Sequence, residues 1–196
     1  MIKRMIAVIL PVLFVTGMVV AQEKTAVSEQ KAPEPEKKAE KPMIKNPMVE
    51  IKTNMGSIYL EVFEKETPIH AKNFLSKVDA GKYDSLIFHR IVPGFVIQGG
   101  DPTGTGSGSM GSGPLADEKS PFPEVRGTVA MARSGAGASD CQFYVNLKDN
   151  TFLDNQKFSA FAKVSQGMDI VDKISKVQTS NEKPLQPVTM LKVHRV

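Results

Sequence analysis

Within the 196 residues, Phe88 to Asp101 reads FHRIVPGFVIQGGD and sets polar chemistry among apolar side chains. Arg90 and Gln98 stand beside Phe95, Val96 and Ile97. A polar group in such a setting must reach water or have a task in an apolar site, because burying it unpaired is costly. Arginine brings a planar, permanently charged set of hydrogen-bond donors. The segment is expected to form two strands, Ile87 to Val92 and Phe95 to Gly99, joined across Pro93-Gly94. Side chains two apart share a strand face, so Phe88, Arg90 and Val92 should alternate with His89 and Ile91.

Other arrangements that could do chemistry are weaker. Cys141 and His89 are the residue types of a cysteine hydrolase, but there is no strand-to-helix setting for a nucleophile. Cys141 directly precedes an expected strand, where a small buried thiol is common. His70, His89 and His194 lack metal-ligand spacing. His89 should point away from Arg90 and be packed or hydrogen-bonded inside the sheet. Gly106 to Gly111, GSGSMG, matches a dinucleotide fingerprint by letter. No βαβ unit follows it, and Pro114 interrupts any helix that could hold a pyrophosphate. It is expected to be a mobile rim loop.

The surrounding chain must position Arg90 and Gln98. Val49 to Thr53 and Ser57 to Phe63 alternate apolar and polar residues, with Ile58, Leu60 and Val62 on one face and a turn at Asn54-Met55-Gly56. Thr67-Pro68 is a helix start, a hydroxyl cap followed by proline at the first helical position. Ala71, Phe74, Leu75 and Val78 then fall on one helical face, and Gly81 ends the helix. Short apolar runs separated by Gly, Pro and Asp follow, as in all-β folds. A second helix is expected from Met168 to about Val177, and a closing strand from Thr189 to Val196. The expected fold is mainly β: a closed antiparallel eight-stranded β-barrel capped by two α-helices.

FHRIVPGFVIQGGD resembles the signature of the cyclophilin family of peptidyl-prolyl cis–trans isomerases. Arg126 to Val145, RGTVAMARSGAGASDCQFYV, resembles the family's second signature. Phe152-Leu153-Asp154 with Phe158 to Val164 resembles the stretch that completes its binding pocket. The resemblance spans roughly Val49 to Val196, and it implies an isomerase of the EC 5.2.1.8 class that binds proline-containing polypeptides and needs no cofactor or metal. It assigns the central donor role to Arg90. Phe95, Val96, Tyr144, Phe152 and Leu153 would form the pocket for the proline ring. Gln98 and Gln142 would hydrogen-bond the substrate backbone, the main chain at Ala132 and Arg133 would pair with it as a short strand, and Phe158 would lie where many members carry histidine. Because arginine does not titrate, this chemistry implies activity that varies little between about pH 6 and 9.

The chain departs from the family at several of these positions. Phe152 stands where many eukaryotic members have tryptophan, so an indole N–H is missing and the cyclic inhibitor cyclosporin is expected to bind weakly. Val96 is smaller than the usual methionine, and Tyr144 replaces phenylalanine. A one-residue difference around Asn155 to Lys157 bears on the matching of Phe158.

The N-terminus explains part of the charge. Lys3 and Arg4, the uncharged stretch Met5 to Val20 and the small residues Val19-Val20-Ala21 form a signal-peptide pattern over residues 1–21, with cleavage expected after Ala21. Pro11 and Gly17 interrupt the stretch, which is short for a membrane span. Residues 22–46, rich in Lys, Glu, Ala and Pro, read as a disordered linker, and residues 47–196 as the folded domain. Without Lys3 and Arg4, 25 basic residues become 23 against 21 acidic ones, and the net charge falls from +4 to +2. That is too small and too dispersed for a nucleic-acid surface. The expected location is outside the cytoplasm, most simply the periplasm, with a membrane-anchored form if the segment is uncleaved. A monomer is expected. The single cysteine, Cys141, excludes an intramolecular disulfide, so stability must come from the core.

Overall fold

The computed structural model describes residues 45–196. The signal-like segment and nearly all of the linker lie outside the described residues. The chain forms β1 (Met48–Thr53), β2 (Gly56–Val62), α1 (Pro68–Asp79), β3 (Arg90–Val92), β4 (Val96–Gly99), β5 (Thr128–Ser134) and β6 (Gly137–Asn146). A 3₁₀ turn (Thr151–Gln156), β7 (Ala160–Gln166), α2 (Met168–Ile174) and β10 (Met190–Arg195) follow, with the two-residue strands β8 (Thr179–Ser180) and β9 (Lys183–Pro184) before β10.

The eight long strands make one antiparallel sheet in the order β10-β1-β2-β7-β5-β6-β4-β3. It curls strongly but does not close, which corrects the expected barrel. No ladder joins the edge strands β10 and β3; a single bridge, Ile87 to Thr189, links these edges. β3 starts only at Arg90, and the segment ahead of it meets the start of β10 through a few main-chain bonds: Ser85 N–H donates to the Met190 carbonyl (2.8 Å), Met190 N–H to the Leu86 carbonyl (2.7 Å) and Phe88 N–H to the Val188 carbonyl (2.9 Å). This late start also breaks the expected alternation. Phe88 turns into the core beside Phe143, with ring centroids 6.3 Å apart, whereas Arg90 faces outward.

Elsewhere the patterns hold. Ile58, Leu60 and Val62 are fully buried, and the β1–β2 hairpin turns at Asn54-Met55, with Thr53 paired to Gly56. In α1, Ala71, Phe74, Leu75 and Val78 are buried, and Pro68 opens the helix. Thr67 does not cap it: its hydroxyl donates to the Phe63 carbonyl (3.0 Å). The Glu118 carboxylate instead accepts from the free amides of Ile69 (2.9 Å) and His70 (3.0 Å), a cap supplied from a distant loop. The second helix ends three residues early, at Ile174.

Two apolar clusters result. The large one fills the inside of the curl around Phe74, Tyr83, Phe88, Phe143 and Phe161. The small one, Val96, Ala130, Ala132, Tyr144 and Leu153 with Phe95 and Phe158, lies on the other side of the same strands.

Candidate active site

Register builds the site. Across β3, β4, β6 and β5, Arg90 pairs with Gln98, Gln98 with Tyr144, and Tyr144 with Ala130, so all four point to one face. The next row, Ile91, Ile97, Val145 and Val129, is fully buried in the core. A slip of one residue would exchange the two faces.

On the outer face a small cavity of about 130 Å³ is lined by Arg90, Phe95, Val96, Gln98, Ala132, Arg133, Tyr144, Leu153 and Phe158. Every one is a residue singled out from the sequence, although Phe158 rested on an uncertain spacing. Phe158 meets Tyr144 edge-on with centroids 5.8 Å apart. The two other candidates stand outside it. Phe152 is 52% exposed and stacks on Phe95 at the rim, centroids 6.2 Å apart and planes 15° apart. Gln142 is buried and lines a neighbouring cleft of about 430 Å³, which shares Gln98, Ala132 and Arg133 with the cavity. A further cleft, about 530 Å³, lies beyond Phe158 between residues 117–123 and 154–159 and contains neither Arg90 nor Gln98.

Arg90 is held from two sides. Its Nε–H donates to the Glu182 carboxylate (2.6 Å), and Nη1 donates to Gln98 Oε1 (3.3 Å). Gln98 Nε2 donates to Gln142 Oε1 (3.0 Å), and Gln142 Nε2 donates to the carbonyls of Gly106 (3.0 Å) and Gly108 (3.2 Å). A guanidinium has five N–H donors, so donors remain for a bound molecule. Glu182 went unnoticed in the sequence. It sits at φ 64° in the β8–β9 turn, and its carbonyl accepts from Ile91 N–H (2.7 Å). Nothing in the sequence around it marks it beyond the neighbouring Asn181, a residue type that favours turns.

Ala132 offers main chain as well as a side chain. The β5–β7 ladder reaches Ala130 and stops, and the β5–β6 register shifts between Met131 and Arg133. One side of this segment is therefore open to another strand. The Arg133 side chain turns away, to Asp117 (2.6 Å) and the Lys157 carbonyl (3.2 Å).

The glycine loop beside the site is anchored, contrary to the expected mobile rim. The buried Asp101 carboxylate accepts from the amides of Thr103, Thr105, Gly106 and Gly108 and from the Thr103 hydroxyl. Burial pushes its pKa up, but the bonds from Thr103, Gly108 and Gly106 outweigh that and hold it at about 2. Asp140 likewise accepts from the Ser109 hydroxyl and the amides of Met110 and Ser112. Cys141 is a buried thiol, which burial pushes up to about 11, so it is not a nucleophile at neutral pH. His89 is buried, and burial lowers its pKa; its ring nitrogens find no partner among the described residues, so it is packed but not hydrogen-bonded.

The family described as cyclophilin type peptidyl-prolyl cis-trans isomerase/CLD matches residues 48–195. The chain belongs to this family. It is an enzyme of the peptidyl-prolyl cis–trans isomerase class, EC 5.2.1.8. It is 40% identical over 161 residues to a peptidyl-prolyl cis-trans isomerase of Acinetobacter baylyi, covering 76% of this chain and 86% of that protein. It is 38% identical over 146 residues to peptidyl-prolyl cis-trans isomerase A of Dickeya dadantii, covering 71% and 77% respectively. A crystal structure of a Cryptosporidium parvum cyclophilin-type isomerase, determined in the presence of the dipeptide Ala-Pro, superposes with a TM-score of 0.68 at 29% identity. The match covers 75% of this chain and 97% of that one. The curled sheet with few helices is thus the cyclophilin fold.

Proposed function

We propose that this isomerase accelerates rotation of Xaa-Pro bonds in exported polypeptides, with Arg90 as the donor that stabilises the twisted bond. Amide resonance sets the uncatalysed barrier at ~18–20 kcal/mol. As the bond twists, the proline nitrogen loses conjugation and gains a lone pair. A donor aimed there has nothing to bind in the planar amide and an acceptor in the transition state, which is the differential binding catalysis requires. An acceleration of ~10⁵-fold needs about 7 kcal/mol. A charged donor, desolvation and positioning together can supply that.

The observation that carries this reading is the pairing of a doubly held guanidinium with a small apolar cavity. Phe95, Val96, Tyr144, Leu153 and Phe158 would take the proline ring, and Ala132 with Arg133 would add the substrate as a short strand. Gln98 and Gln142 would meet the substrate backbone, their amides being oriented by each other and by the glycine loop. Phe152 would cover the rim. Without an indole N–H there, cyclosporin should inhibit weakly, and Phe152→Trp should strengthen inhibition.

The test is isomerisation of an Ala-Pro peptide by wild type and Arg90→Ala, measured beside peptide affinity. Catalysis by wild type, lost in the variant while binding persists, is expected. Equal activity in both would refute the mechanism, and binding without turnover in wild type would make the chain a holder of proline segments. Export to the periplasm rests on the signal-like pattern, and membrane attachment would require that segment to stay uncleaved. N-terminal sequencing of the protein from an envelope fraction should begin at Gln22; a cytosolic chain beginning at Met1 would refute export.

A further inference from the structure

Behind the cavity, on the side away from Arg90, runs a buried polar chain. The Tyr144 hydroxyl donates to Glu124 Oε2 (3.1 Å), and Asn146 Nδ2 donates to the same oxygen (2.6 Å) and to Thr128 Oγ1 (3.0 Å). Asn150 Nδ2 donates to Asn146 Oδ1 (2.7 Å) and to the Phe95 carbonyl (3.2 Å). The main chain closes the circuit. Asn150 N–H donates to the Glu124 carbonyl (2.7 Å), Leu153 N–H to the Asn150 carbonyl (2.9 Å), and Glu124 N–H to the Asp154 carboxylate (2.9 Å). Three cavity walls, Phe95, Tyr144 and Leu153, therefore hang on one network with a carboxyl at its centre.

That carboxyl is out of reach of water, with Glu124 0% exposed. Glu124 Oε1 and Asn150 Oδ1 find no hydrogen-bond partner among the described residues. With the carboxyl ionised, both atoms are acceptors only; a proton on Oε1 makes it a donor. An ionised Glu124 therefore carries an unpaired oxygen in a site closed to water, which burial penalises more than the neutral carboxyl.

We propose that Glu124 is a positioning residue of the cavity, and that loss of its carboxyl proton loosens the walls at Tyr144, Phe95 and Leu153 and weakens substrate binding. The role rests on reading the cavity as the proline site. Several groups face this carboxyl. Tyr144 and Asn146 donate to it from β6, and the Asp154 carboxylate of the 3₁₀ turn, which accepts from Glu124 N–H, adds a nearby negative charge. Arg126, two residues away, is drawn off by both oxygens of Asp172 (2.8 and 2.7 Å). Burial pushes the Glu124 pKa up to about 7, the bonds from Asn146 and Tyr144 oppose it, and the charge of Asp154 adds to it. A titrating carboxyl behind the cavity would give substrate binding a pH dependence that a guanidinium alone does not supply.

The experiment is Ala-Pro peptide isomerisation between about pH 5.5 and 8.5, with KM and kcat resolved separately, on wild type and Glu124→Gln. In wild type, KM should rise about tenfold, the scale of one misfitted hydrogen bond, through a midpoint near 7, with kcat nearly constant. In Glu124→Gln, which copies the neutral carboxyl, KM should not change with pH. A flat wild-type profile, or the same step in the variant, overturns the role. Peptide affinity by calorimetry over the same range separates this claim from the isomerase reading. An affinity step lost in Glu124→Gln supports the role even without turnover, whereas turnover with pH-independent affinity and KM overturns it. Carboxyl ¹³C NMR of glutamate-labelled wild type needs no variant. Titration of the Glu124 resonance near its ordinary 4.5, and not near 7, would also overturn the role.

Discussion

The same four strands, β3 to β6, present two faces that differ in kind. Inside the curl, Ile91, Ile97, Phe143 and Val145 are fully buried among other apolar side chains, with nothing polar to satisfy. One register row away, Arg90, Gln98, Gln142 and Tyr144 share the outer face with a small apolar cluster, and each is tied by a named hydrogen bond. The inner face is held by area removed from water, which is insensitive to pH. The outer face is held by donors and acceptors, whose fit depends on protonation and geometry. Apolar burial and the proposed chemistry therefore fall on opposite sides of one set of strands.

The inner face should give the largest effect. Phe143 meets Phe74, Tyr83 and Phe88 edge-on with centroids 5.5, 5.6 and 6.3 Å away. Phe143→Ala should cost ~3–5 kcal/mol in urea unfolding, alike at every pH. A loss below about 1 kcal/mol would mean the inner face is not the source of stability.

Glu124 should come next, with a signature the inner face lacks. Its pKa is raised in the fold from an ordinary 4.5 to about 7, so the folded state keeps a proton that the unfolded chain has released. The contribution is whole below about 4.5 and falls by roughly 3 kcal/mol as pH rises toward 7, then levels off. Glu124→Gln should remove that slope. An unchanged slope in the variant would assign it to another group.

Asp101 sharpens the contrast from the other direction. It is as buried as Glu124, yet amides and a hydroxyl from its own loop hold its carboxylate charged, with a pKa of about 2 against an ordinary 3.8. Its contribution, on the order of 2 kcal/mol, is present above about 3.8 and lost as pH falls through 2. Asp101→Asn should flatten the acid limb and leave the limb between 4.5 and 7 intact. If both limbs changed, the two carboxyls would be coupled and the contrast would fail.

Much of this was legible from local pattern. The alternation of Ile58, Leu60 and Val62 and the helical face of Phe74 and Leu75 follow from side-chain period alone. The residues lining the cavity were legible through resemblance, not through alternation, which placed Phe88 on the same face as Arg90. What stayed hidden depends on distant segments meeting. Glu182 reaches Arg90 across 92 residues, Glu118 caps a helix 48 residues before it, and Glu124 lies under Tyr144. No periodicity marks such contacts. The open edge was hidden for a different reason: composition favours a strand from Ile87, but the regular ladder begins only at Arg90, and side-chain type does not mark where a ladder starts.

We propose that the Arg90 guanidinium, held by Glu182 and Gln98, presents its remaining donors to the proline nitrogen. Arg90→Lys tests it most directly, since lysine keeps the charge but lacks the planar fork. The half-exposed ion pair with Glu182 contributes little to stability, so the urea midpoint should stay near that of wild type. The account predicts a loss in kcat/KM for an Ala-Pro peptide of at least about 100-fold, or roughly 3 kcal/mol of transition-state stabilisation. Near-wild-type activity in Arg90→Lys would contradict it, because a point charge would then suffice.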